Sequence, residues 1–324
     1  LIARFPYDYF MVDGKRLYLK NLKWDYIVID EASMIPLAQI VYPLYKKSPE
    51  RFIIAGDPFQ IEPIAAVDIW KDENIYTLVH LNDFKETETV PHEYPVKRLM
   101  TQYRSVPAIG RLVSEFAYQV ALQHYRTPGS QRRLNLEGRL DIKALNLIKF
   151  PVSRYESIYR SKRLQGRTPY HIYSALFTYE FVCYLAKIIA EANPGEHFRI
   201  GIIAPYRAQA DLVDKILAQA ELPALVEVIA STIHGFQGDE CDIVMALFNT
   251  PPGISSSKRM FLNKRNIINV AISRAQDYLF VIMPDRQTRN IQNLMLVNRV
   301  ESLMKEDDYQ EFESHEIERL MFGS

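Results

Sequence analysis

STIHGFQGDECDIV, residues 231–244, and NVAISRAQDYLFVI, residues 269–282, each join a polar turn rich in Gly, Gln, Ser or Arg to a short apolar run. Apolar runs of this length, bounded by turn residues, are the mark of strands buried on both faces, as in parallel sheets. Working outward, such runs recur at Tyr26–Ile29, Phe52–Ala55, Ile200–Ala204, Ile243–Phe248 and Leu279–Met283. Between them, apolar residues fall at three- and four-residue spacing over Ile109–Tyr125, Phe177–Ala192 and Gln209–Gln219, which predicts helices. Strands alternating with helices predict an α/β fold with largely parallel sheets.

The chain has 324 residues, enough for two domains with their own cores. Lys plus Arg and Asp plus Glu both number 39, so no global basic field draws in polyanions, and any nucleic-acid site has to be a local groove. Cys183 and Cys241 lack metal-ligand spacing, which argues against structural zinc and fits a reducing compartment. There is no run of 18 apolar residues and no secretory leader pattern. These features lead to the expectation of an intracellular protein, cytoplasmic or nuclear, without membrane contact.

Leu81–Pro95, rich in Asp, Glu, Thr, His and Pro, reads as a surface excursion near a lobe junction. The arginine-rich stretch at residues 126–139 reads as a mobile basic loop, with Arg132, Arg133 and Arg139 as a possible local attraction for polyanions, and Thr250–Lys258 reads as a Pro-Gly-Ser turn. Asn298–Met321 reads as a terminal amphipathic helix.

Chemistry gathers at the strand ends. YIVIDEAS sets Asp30 and Glu31 just past a strand. One carboxylate there can hold Mg²⁺ while its neighbour orients or deprotonates an attacking water. An isolated Asp-Glu pair is more often an ordinary solvated junction, but FIIAGDPFQ follows, with Gly56 for a tight turn, Asp57 to hold it and Gln60 to reach a γ-phosphate or a water. LMTQYRSVPAIG offers Tyr103 for stacking on a base and Arg104, whose permanent charge and planar fork suit phosphate oxygens. Arg207 in APYRAQ is a weaker candidate of the same kind. In the 231–244 block, Ser231, Thr232 and His234 can donate to a nucleic-acid phosphate, Gly235 and Gly238 let backbone amides approach one, and Glu240 can accept from a ribose hydroxyl. Arg274 is expected on a helix leading into a strand, placed to reach across a cleft.

Taken in order, DEAS, GDPFQ, QYR, STIHGFQGDECD and NVAISRAQ resemble motifs II to VI of superfamily 1 helicases, in the Upf-like branch that includes the nonsense-mediated-decay RNA helicase and its DNA-acting relatives. The likeness runs from about Asp25 to Pro284. It implies two RecA-like P-loop NTPase lobes, residues 1–103 and 104–324, working with ATP and Mg²⁺ on single-stranded nucleic acid, DNA somewhat favoured over RNA. It further implies Asp30 as the Mg²⁺ carboxylate, Glu31 as catalytic base, Gln60 as γ-phosphate sensor, and Arg104 and Arg274 as arginine fingers. Asp57, Tyr103, Gly238 and Glu240 would face the nucleotide, and Ser231, Thr232, His234 and Gly235 the nucleic-acid path.

One departure is marked. The family's G-x-x-x-x-G-K phosphate loop is nowhere in these residues; Gly14 and Lys15 are adjacent, but Tyr9 stands at the earlier glycine position and Arg16 follows. The expectation is therefore the C-terminal portion of a helicase, with an incomplete first lobe exposing a hydrophobic strand edge, a second lobe that folds well alone, and a missing N-terminal segment of the same polypeptide as partner. By itself such a chain would be inactive as an ATPase. The rival readings are a non-catalytic nucleic-acid-binding or protein-docking module that keeps the fold, and an ATPase switch without strand separation.

Overall fold

A computed structural model of the chain describes residues 5, 7–63, 73–81, 94–119, 122–134, 136, 138–159, 168–236, 238–248, 261–305 and 307–323. Two compact units divide at Val96 and Lys97. Most of the excursion at Leu81–Pro95, the whole Thr250–Lys258 turn and Gln237 of the STIHGFQG block lie outside the described residues.

In the first unit, β1 (Tyr9–Val12) and β2 (Lys15–Tyr18) form an antiparallel hairpin, and β3 (Tyr26–Ile29) pairs in parallel with β4 (Arg51–Ile54) across helix α1 (Leu37–Lys47). The predicted strand at Tyr26–Ile29 is found with those bounds. Ile27 and Ile29 point into a small core with Ile40 of α1 and with Ile75 and Tyr76 of the one-turn helix α2 (Ile75–Leu78). Asn74 caps α2, accepting from the Tyr76 and Thr77 amides. The period-two alternation places Tyr26 and Val28 on the opposite face, with Ile53 beside Val28 in register, and all three are more than half exposed.

The second unit begins with β5 (Thr101–Gln102), α3 (Pro107–Val113) and β6 (Gln123–His124). The helix predicted over Ile109–Tyr125 is corrected here: α3 ends at Val113, a π-turn spans Ser114–Tyr118, and Gln119 turns left-handed at φ 54°. Ser114 Oγ accepts the Leu122 amide at 3.0 Å, so a side chain takes the place of helical hydrogen bonding and the chain extends into β6.

Next come β7 (Leu145–Phe150), α4 (Ile172–Ala192), β8 (Phe198–Ala204), α5 (Arg207–Leu217), β9 (Val226–Thr232), β10 (Cys241–Leu247), α6 (Arg265–Ile272) and β11 (Ala275–Pro284). After α7 (Arg286–Ile291) and α8 (Met295–Leu303), β12 (Tyr309–Glu313) and α9 (Ser314–Phe322) complete the unit. The strands form one six-stranded sheet in the order β12-β7-β11-β10-β8-β9, every neighbouring pair parallel. The chain is thus α/β, as the runs predicted. α4 is long and apolar enough to cross a membrane, yet Phe177, Phe181, Val182, Leu185 and Ile189 are buried in the core beside the sheet. The predicted terminal helix is broken by β12. Its charged sequence hides a strand because it is an edge strand, with only Phe312 buried, while Glu311 and Glu301 of α8 both accept from Lys149 of β7 at 2.7 Å.

A close approach ties the turn after β9 to the sheet. A Cβ at Gly201 in β8 would lie 2.4 Å from Cζ of Phe236 and 3.0 Å from Sγ of Cys241, and Phe236 is fully buried. Gly201→Ala is therefore expected to lower stability by about 1–3 kcal/mol through overpacking. A shift in the urea midpoint measures it, and Phe236→Leu in the same chain should recover part of the loss.

Candidate functional site

Two clusters emerge, one in each unit. In the first, the chain leaves β3 through Asp30, whose Oδ1 accepts the Glu31 amide at 2.8 Å. Glu31 is left-handed at φ 51°, ψ 40°, a conformation costing a non-glycine residue about 1 kcal/mol, and the Ala32–Met34 turn follows. The Ala32 amide donates to the Ala55 carbonyl at 3.0 Å, so the DEAS turn rests on the end of β4. There Gly56, at φ +145°, lies so close that a Cβ would be 2.9 Å from the Ala32 nitrogen and 2.7 Å from the Tyr76 hydroxyl. Asp57 then closes the next turn, accepting the Phe59 amide at 2.8 Å and the Gln60 side-chain amide at 3.3 Å. Asp30, Glu31, Asp57 and Gln60 thus share one strand-end surface.

Tyr76 was not singled out by sequence. It is 6% exposed, and its hydroxyl has no hydrogen-bond partner among the described residues. An orphaned buried hydroxyl costs about 1–3 kcal/mol. Burial first, and then the carboxylates of Asp57, Glu31 and Asp30, push its pKa up, so the phenol stays protonated. Among the described residues no group of three acidic, His or Cys side chains converges to hold a metal unaided. Mg²⁺ bound through one or two carboxylates and completed by water and phosphate oxygens needs no such group, so Asp30 and Glu31 fit it.

In the second unit, Gln102, Tyr103, Arg104, Arg126, Glu240 and Gln276 line an open cleft of about 580 Å³. These residues come from four separate stretches of chain. Arg104 donates through Nε to Glu240 Oε2 at 2.6 Å and through Nη1 to the Ser273 carbonyl at 3.1 Å. Gln276 donates to the other Glu240 oxygen at 2.8 Å. The Arg104 hydrogen bond, more than any other influence, holds the Glu240 carboxyl below the ordinary glutamate range. Tyr103 is 64% exposed at the rim, its ring 4.8 Å from that of Tyr125.

Arg274 departs from its predicted setting. It follows α6 instead of lying on it, and it is 2% exposed, because β11 begins at the next residue and draws the segment into the sheet. Its charge nonetheless acts on Glu240. The 126–139 stretch also differs from a free basic loop. Arg126 pairs with the buried Asp277 and donates to the Arg104 and Gln276 carbonyls, Arg132 pairs with Asp242 and Glu196, and Arg139 pairs with Glu191. Arg126 and Gln276 are cleft residues the sequence reading passed over; the placement of Gln276 beside Arg274 in NVAISRAQ was the available signal, and Arg126 offered none.

Ser231 and Thr232 end β9, and His234 and Gly235 form the turn beyond it. The turn closes on itself: the Gly235 amide donates to Thr232 Oγ1 at 3.1 Å, and a Cβ at Gly235 would lie 2.3 Å from Ser231 Oγ. His234 stacks on Phe261 at 5.8 Å, and burial, with Lys264 second, lowers its pKa so that it is neutral at pH 7. Gly238 follows at φ +86°, leading to Glu240. These four residues make a separate surface and do not line the cleft. Arg207 sits at the start of α5, where it pairs with Asp211 on the same helix, outside both clusters.

The family model described as an AAA domain matches residues 81–286. The chain is 25% identical over 264 residues to the DNA replication ATP-dependent helicase/nuclease DNA2 of Gallus gallus, spanning 80% of this chain and 23% of that protein. It is 22% identical over 272 residues to the 5'-3' DNA helicase ZGRF1 of Mus musculus, 82% of this chain and 13% of the relative, and 23% identical over 272 residues to Helicase sen1 of Schizosaccharomyces pombe, 81% and 15%. The chain therefore spans less than a quarter of the length of these relatives. Among solved structures, Arterivirus nonstructural protein 10 (helicase) aligns over 88% of this chain and 43% of its own at 11% identity and a TM-score of 0.39. The family match covers well over half of the sequence, and the chain belongs to the AAA domain family.

Proposed function

We propose that the chain is part of an ATP-dependent superfamily 1 helicase that couples ATP hydrolysis to movement along, and unwinding of, nucleic acid. The observation that carries this reading is the second-unit cleft. There an exposed tyrosine and an arginine from one sequence block and a carboxylate from another line one space, the set that a base, a phosphate and a ribose need. The names of the relatives support it, and two of the three name DNA, which favours DNA over RNA as the single-stranded partner. An intracellular setting, cytoplasmic or nuclear, goes with this reading.

In this reading Asp30 holds Mg²⁺, which when bound neutralises charge on the phosphate oxygens. Glu31 takes the proton of the attacking water, and Gln60, held by Asp57, orients the γ-phosphate or that water. Tyr103 stacks on the base, with Gly238 and Glu240 beside the sugar. Arg104 leaves Glu240 to meet the phosphates, and Arg274 adds a second positive charge. Ser231, Thr232, His234 and Gly235 grip the nucleic-acid backbone, the neutral imidazole serving as donor or acceptor.

A second reading, a non-catalytic module that keeps the fold, has one observation in its favour: the 324 residues hold no G-x-x-x-x-G-K. Nucleic-acid-stimulated ATPase of the full-length protein separates the two. Glu31→Gln, Arg104→Ala and Arg274→Ala are each expected to lower kcat on the order of 100-fold or more. No stimulated ATPase in the parent protein, or unchanged rates in all three variants, would select the module.

The resting Arg104–Glu240 pair has its own test. Because the Glu240 pKa is depressed in the folded chain, the pair's contribution is complete above the ordinary glutamate value and is lost as pH falls through the depressed one. An NMR titration of the Glu240 carboxyl is expected to show a midpoint below the ordinary value that moves back up in Arg104→Ala.

A further inference from the structure

The buried hydroxyl of Tyr76 has no role in packing. Its ring fills the first-unit core beside Ile29 and Ile75, a task phenylalanine performs equally well, and the added oxygen is sealed from water without a hydrogen-bond partner among the described residues. A protein that leaves a donor orphaned in this way loses stability, so the group calls for an explanation outside the resting fold. Its position supplies one. The hydroxyl ends beneath Gly56, and the three atoms nearest that glycine's absent Cβ are the Tyr76 oxygen at 2.7 Å, the Ala32 nitrogen at 2.9 Å and the Glu31 carbonyl carbon at 3.4 Å. It therefore abuts the turn that carries Asp30 and Glu31, and Glu31 is the residue of that turn held in the left-handed region. Strained backbone beside an unsatisfied donor is an arrangement with a second state available, in which the turn shifts and the donor is used.

We propose that Tyr76 is a positioning residue for hydrolysis: when nucleotide is bound, its O–H donates to the Glu31 carboxylate and fixes that base against the attacking water. This rests on the reading of Glu31 as catalytic base. The glycine at position 56 follows from the same requirement, since any side chain there would stand between the hydroxyl and the turn. Tyr76 acts only through Glu31, so its loss should slow the chemical step and leave nucleotide affinity alone.

The test is Tyr76→Phe in the full-length protein, with Glu31→Gln as reference, measuring nucleic-acid-stimulated ATPase and thermal unfolding without nucleotide. The expected result is a kcat reduced about tenfold, an unchanged KM for ATP, and a Tm equal to or above that of the parent, because the orphaned hydroxyl is gone while the ring remains. A structural role would lower Tm and activity together, and that outcome overturns the proposal. If Glu31→Gln abolishes turnover while Tyr76→Phe keeps full kcat, the proposal fails and the reading of Glu31 stands. If Glu31→Gln itself leaves turnover intact, the reading fails and takes the proposal with it.

Discussion

A carboxylate buried at the start of β11 is the constraint on which the second-unit cleft depends. Asp277 is 2% exposed and accepts from the Arg126 guanidinium and the Arg132 amide. An unpaired charge at such depth is strongly unfavourable, and removing one partner of a buried pair costs about 3–5 kcal/mol. Arg126 is thereby fixed, and with it the carbonyls of Arg104 and Gln276 to which it donates. Ser105 Oγ adds a bond to the Ala275 carbonyl at 2.6 Å, and the Val106 amide one to Gln276 at 2.9 Å. The segment bearing Tyr103 and Arg104 is thus stitched to the strand that follows Arg274. Glu240 immediately precedes β10, whose first residue Cys241 pairs in parallel with Ala275 of β11, so the sheet register delivers the third component.

Within the cleft the charges are balanced against each other. Arg104 spends its hydrogen bonds on Glu240 and the Ser273 carbonyl, and Gln276 holds the other oxygen of Glu240. In the proposed reading, a phosphate arriving there would compete with a carboxylate already in place. The first-unit cluster has the same character in another form: a left-handed Glu31, a glycine that admits no side chain, and a tyrosine oxygen left without a hydrogen bond among the described residues.

Much of this was legible in the sequence, for physical reasons that differ from element to element. Strands buried in a parallel sheet are continuous apolar runs, so Tyr26–Ile29 was read with the bounds it has, and the runs at 200–204, 243–248 and 279–283 fell within or beside β8, β10 and β11. The polar blocks stood out because glycines and charges directly after such runs have no packing role. What escaped depends on distant partners. β12 is an edge strand whose polar residues face solvent, so its pattern mimics a helix surface. The helix over 109–125 kept its apolar spacing past the point where Ser114 turned the chain aside. Arg126 became a cleft residue through Asp277, 151 positions away, and Tyr76 reads in sequence as one more core aromatic.

The central claim is that residues from three stretches of the second unit form one nucleotide-facing surface. Hydrogen–deuterium exchange of the full-length protein, with and without Mg²⁺ and a non-hydrolysable ATP analogue, tests it most directly. The account predicts slowed exchange at residues 101–105, 238–241 and 273–276 together. Nucleotide binding that protects other parts of the protein while leaving these three segments unchanged would contradict it.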